Sequence, residues 1–177
     1  EPAARLVSER KLRKVLFYLR DHGHALPLNP ELPVWVDRQD LIAADVLAAE
    51  TLTGTEPRLL LLTPPDDRHW HHHPGAEVRR QYWRLLFQGA VRAAIDRKLA
   101  ADALTVGRCR DRLYRLGSAA AREVEFVLET DRLADQEETA AGIYRAFAAT
   151  YLDLHFFTPA AVEEFFPSLP PAGEVLA

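Results

Sequence analysis

Apolar positions along this chain repeat mostly at helical spacing. Between Leu6 and Arg20, Leu12, Val15, Leu16 and Leu19 fall on one face with charges between them, which predicts an amphipathic helix. Gly23 suits its left-handed cap, and His22 and His24 suit the negative end of its dipole. The proline-rich segment 25–36 predicts an extended connector pinned to the core by Trp35. A second helix is expected from Asp37, with Asp40 as a capping partner, through "LIAADVLAAETL". "RLLLLT" (58–63) reads as an extended buried segment without a strand partner.

The longest periodic stretch runs from Pro74 to about Leu99. Val78, Tyr82, Leu85, Leu86 and Gly89 form one apolar stripe, and Trp83, Phe87, Val91, Ala94 and Ile95 belong to a second. A polar row, Arg80, Arg84, Gln88, Arg92 and Asp96, separates them at i, i+4 spacing. Two apolar stripes predict a central helix packed on two sides, with Gly89 admitting a crossing helix. Shorter helices are expected over 105–116 (stopped by Gly117), 119–133 (capped by Ser118), 137–157 and 160–166. The pattern predicts an all-α fold: a single compact bundle of about six or seven helices around the long helix 74–99. Residues 1–167 form the expected domain, and 168–177 a Pro-rich linker or tail.

Composition narrows the function classes. At 177 residues with 48% hydrophobic residues, the chain can bury a sizeable core. A formal charge of −4 argues against wholesale nucleic-acid binding. The charge is uneven: residues 1–100 hold 15 Lys/Arg against 13 Asp/Glu, and residues 101–177 hold 7 against 13. The basic excess gathers on the first helix, where Arg10, Lys11, Arg13 and Lys14 form a candidate anion or partner contact. Cys109 is the only cysteine, which excludes an intrachain disulfide and favours a reducing, cytoplasmic setting. Its neighbours Val106, Leu113 and Leu116 make it a buried thiol rather than a reactive one. The charged start "EPAARLVSERKLRK" lacks an h-region, so no signal peptide is expected, and no apolar run is long enough for a membrane span. The absence of Met and the linker-like end "PSLPPAGEVLA" lead to the expectation of a domain excised from a larger protein, and the Ala- and Arg-rich composition to that of a bacterial source.

The familiar catalytic signatures are missing. There is no G-x-G-x-x-G, no P-loop, no H-E-x-x-H and no G-x-S-x-G. The remaining candidate is "HWHHHPGAE" (69–77), which holds four of the seven histidines. As a metal site, His69, His71, His73 and Glu77 would supply the donors for zinc. Pro74 opposes this, because it sets the run against a helix N-terminus, whose positive end disfavours a cation. As a catalytic site, Arg68 and His73 form R-x-x-x-x-H. That spacing resembles the R-x(4–6)-H motif of the HEPN ribonucleases, over six residues, and the resemblance implies RNA cleavage by Arg68 and His73. As a structural element, Trp70 anchors the loop while the histidines stay wet at the helix entrance. A functional form of that reading is a partner-facing surface of Arg68, His69, Trp70, His71 and His73.

Taken together, these features lead to the expectation of a non-catalytic helical module for protein–protein interaction, scaffolding or regulation, without cofactor. Its partner would be another protein or another domain of the same chain. The alternative is a metal-dependent or RNA-cleaving enzyme centred on the Arg68–His73 loop. Any exposed part of the aromatic group Phe156, Phe157, Phe165 and Phe166, expected mostly in the core, would be a further interface candidate.

Overall fold

The four leucines of "RLLLL" are a strand at the centre of a sheet. In the computed structural model, which describes residues 3–23, 34–45, 47, 58–65, 74–130, 133 and 139–176, the chain is mostly helical but carries a three-stranded sheet. The strands are β1 (Ala3–Leu6), β2 (Val34–Asp37) and β3 (Arg58–Leu62), in the order β1-β3-β2. β1 runs parallel to β3 with Ala4 opposite Leu60, and β2 runs antiparallel with Trp35 opposite Leu60. The all-α expectation is corrected here, as is the view that the leucine run has no strand partner.

The physical reason lies in what covers the two faces. Pro57 before the run and Pro64 after it leave too few residues for a stable helix, and Leu59, Leu60 and Leu61 are fully buried. A strand buried on both faces reads as a continuous apolar run rather than an alternation. Each such leucine contributes about 1.5–3 kcal/mol of burial, which outweighs the weak β-propensity of leucine.

The chain forms two compact units, Glu1–Ala90 and Val91–Ala177. In the first, helices α1 (Glu9–Asp21) and α2 (Arg38–Ala44) bury Leu12, Val15, Leu19 and Leu41 in one cluster with Val34, Val36, Leu59 and Leu61. The opposite face of the sheet meets the first part of α3 (Gly75–Ala100). There the Trp35 indole Nε1 donates to the Gly89 carbonyl oxygen at 2.9 Å. A Cβ on Gly89 would stand 2.8 Å from Leu60 Cδ2. Gly89 therefore admits a strand side chain, not the crossing helix expected from the sequence. The Tyr82 hydroxyl donates to the Thr63 carbonyl oxygen.

Helix α2 ends at Ala44, where Asp45 takes a left-handed conformation at φ 46°, so it does not run on unbroken through Leu52. Asp37 stands at its N-cap without a side-chain cap bond, and its carboxylate instead faces Arg58 at 3.0 Å. At the end of α1, Gly23 is left-handed as expected, at φ 78°, and His22 Nδ1 lies 2.7 Å from the Tyr18 carbonyl oxygen.

The second unit is helical: α4 (Val106–Arg115), α5 (Ser118–Thr130), α6 (Ala140–Phe157), α7 (Ala160–Phe165) and α8 (Ala172–Val175). Two hydroxyls act as N-caps. Thr105 accepts from the Arg108 amide at 3.2 Å, and Thr139 from the Gly142 amide at 3.1 Å. Val124, Leu128, Phe147, Tyr151 and Leu154 share a core with Phe166, whose ring meets Phe147 edge-on at 5.6 Å. Leu169 and Val175 pack against the same core. Arg145 bonds Asp96 at 2.6 Å, and Arg92 donates to the Leu133 carbonyl oxygen at 2.9 Å. The polar row of α3 is thus drawn inward at Arg92 and Asp96 rather than solvated. Among the described residues, no helix is long and apolar enough to cross a membrane.

Candidate functional site

The basic residues singled out on the first helix are all exposed, and three of them line one depression. Leu12, Val15 and Leu19 turn inward, so the rest of the α1 surface is left to charge. Glu9, Arg10, Arg13, Lys14 and Phe17 line a wide-mouthed depression of about 600 Å³. Arg10, Lys14 and Phe17 form one i, i+4, i+7 stripe, and Arg13, Phe17 and Arg20 form another, so Phe17 lies where the two meet. Lys11 is exposed but does not line the depression.

Charge on this face is unequally balanced. Arg13 bonds Glu9 at 2.5 Å in an exposed i, i+4 pair. No described carboxylate pairs with Arg10, Lys11 or Lys14. Phe17 is 59% exposed, and the Arg20 guanidinium stands 4.7 Å from its ring centroid. A cationic rim around an uncovered aromatic ring can take a carboxylate and an apolar side chain together. Sequence reasoning missed Phe17. Its signal was available: it is the large apolar residue of this helix that falls outside the buried stripe.

Arg68, His69, Trp70, His71 and His73 lie outside the described residues. Glu77, the fourth candidate ligand, is exposed in the first turn of α3, and its amide donates to the Pro74 carbonyl oxygen at 2.8 Å. Among the described residues, no three His, Cys, Asp or Glu side chains are grouped to hold a metal ion.

Cys109 is fully buried beside Ile95 and Leu104. Burial pushes its thiol up, against a smaller opposing pull from Arg112. It is not a poised nucleophile. Two sequence expectations on aromatic residues are corrected. Trp83, assigned to a buried stripe, is 65% exposed, because Gly89 and Tyr82 set the face of α3 that meets the sheet and Trp83 falls away from it. Of the C-terminal phenylalanines only Phe166 is core, while Phe156 is 63% exposed and Phe165 also reaches solvent.

Comparison with protein-family models, with curated proteins and with solved structures finds no match to this chain.

Proposed function

We propose that this chain is a non-catalytic interaction module, of the scaffolding or regulatory kind, that receives an acidic segment of a partner protein on the outer face of α1. A cytoplasmic setting belongs to the same reading. The observation that carries it is the α1 depression, where Arg10 and Lys14, without described carboxylate partners, flank the exposed ring of Phe17. An acidic segment with one apolar side chain complements that arrangement in both charge and shape. The charges steer the encounter, and the aromatic contact slows release.

Site-specific photocrosslinking tests the reading. A benzophenone amino acid placed at Phe17, and separately at the exposed Phe126 of α5, is irradiated in the presence of the native proteome. Crosslinked peptides are then identified by mass spectrometry. The expected result is an acidic peptide captured at position 17 and not at 126, and lost in an Arg10→Glu/Lys14→Glu background. Equal capture at both positions, or capture unaffected by the charge reversal, overturns it.

A further inference from the structure

Helix α4 carries a second basic surface, and its chemistry differs from that of α1. In its ten residues it holds Arg108, Arg110, Arg112 and Arg115 against the single acid Asp111. Only Cys109 and Leu113 are buried, so all four arginines stand in solvent. Arg108, Arg112 and Arg115 fall at i, i+4 and i+7, one row along the helix. At about 1.5 Å rise per residue, the steps of that row are ~6 and ~4.5 Å.

Two features make this row more than a solvated face. Arg112 is held in place: it donates to the Tyr144 hydroxyl at 2.7 Å, with its guanidinium 5.6 Å from the Tyr144 ring centroid. Tyr114, one turn after Arg110, is 65% exposed and lies about 100° around the helix from Arg115, with Asp111 between it and the row. No described carboxylate pairs with Arg108, Arg110 or Arg115.

We propose that the outer face of α4 binds single-stranded nucleic acid. The arginine row follows consecutive phosphates and Tyr114 stacks on a base. Arginine, not lysine, supplies every positive charge on this helix, and its planar fork matches phosphate oxygens two at a time. A row with near-regular steps fits a ligand whose charges repeat along a strand. An exposed phenol on the flank of that row, one turn from Arg110 and across Asp111, offers a platform for an unpaired base reached from the backbone on the row, since every base has a π-face. The overall charge of −4 conceals this surface, because the acids of the second unit lie largely on other elements, such as Glu123, Glu125 and Glu129 on α5. The surface belongs to a different helix from the α1 depression, and neither proposal needs the other.

The test is fluorescence anisotropy on the full chain with labelled oligo(dT) and oligo(U), a duplex of the same length, and poly-glutamate as competitor. Binding to at least one single strand is expected at about 50 mM salt, falling with salt at a log–log slope of roughly −2 for three phosphate contacts. Arg108→Glu/Arg115→Glu is expected to weaken it by at least about 10-fold, and Tyr114→Ala by about 5- to 100-fold. Arg108→Gln, which removes one contact, is expected to reduce the slope by about 0.7. Arg10→Glu/Lys14→Glu on α1, which adds the same negative charge elsewhere, is expected to weaken binding less than Arg108→Glu/Arg115→Glu and to leave the salt slope unchanged. The oligo(dT) and oligo(U) arms tell DNA from RNA. Absence of binding to either strand, competition by poly-glutamate as strong as by the unlabelled strand, or retention in the double reversal overturns the proposal. The reversed residues are exposed, and an unchanged melting curve confirms that each variant is folded.

Discussion

Trp35 and Gly89, far apart in sequence, are joined by an indole-to-carbonyl hydrogen bond of 2.9 Å, and the missing Cβ of Gly89 leaves room for the methyl groups of Leu60. This contact ties β2 and α3 across the sheet face that α1 and α2 do not cover. Gly89→Ala gains about 1 kcal/mol of helix propensity but overpacks Leu60, at a cost of about 1–3 kcal/mol. We predict a net loss of stability that shrinks in a Leu60→Ala background. Urea unfolding of the four members of that cycle measures the coupling. Additive effects would show that the two residues do not share this space.

Two tyrosines should respond oppositely to loss of the hydroxyl. Tyr82 donates to the Thr63 carbonyl oxygen, whereas the buried Tyr151 hydroxyl has no hydrogen-bond partner among the described residues. Tyr82→Phe is expected to cost about 1 kcal/mol, while Tyr151→Phe leaves stability within about 0.5 kcal/mol or raises it. Thermal and urea unfolding of both variants decide the matter.

The Arg145–Asp96 bond, with side chains 22% and 14% exposed, should matter where Arg13–Glu9, at 69% and 63%, does not. Asp96→Asn is expected to destabilise by about 1–3 kcal/mol, below the fully buried range because solvent still reaches both groups. Glu9→Gln is expected to leave the unfolding midpoint unchanged. A larger effect at Glu9 than at Asp96 would contradict the burial argument.

Cys109 should resist modification in the native state. An aromatic disulfide reagent is expected to label it only as fast as the second unit opens, with the rate rising steeply in denaturant. Alkaline pH provides a further check. Burial raises the Cys109 thiol and the Tyr151 phenol, so the folded chain keeps protons that the unfolded chain gives up. Their contribution is whole below the ordinary values of 9.0 and 10.0 and is lost as pH climbs past them. Stability should therefore fall above about pH 9, and Cys109→Ala should make that fall shallower. Rapid labelling at neutral pH without denaturant would refute the buried placement.

The helices were legible before any coordinates because helical signals are local. Leu12, Val15 and Leu19 repeat at the helical period, Gly23 and Gly117 mark the stops, and Gly117 is left-handed at φ 96° as its position demands. The charge of the α1 face was legible too. The arginine row of α4 went unread, because spacing reveals a row but not whether it faces solvent.

Residue order alone was enough to place most of the helices, though not the end of α2, and to bury Cys109, since a helix satisfies its own backbone and needs only a repeating apolar face. Tertiary structure alone decided the sheet. Nothing in "AARL" or in a run of leucines names a strand partner, because strand pairing is settled by which residues meet across the chain and by what buries both faces. The same long-range packing decided that α3 shows Trp83 to solvent and that Phe17 stands uncovered beside Arg10 and Lys14.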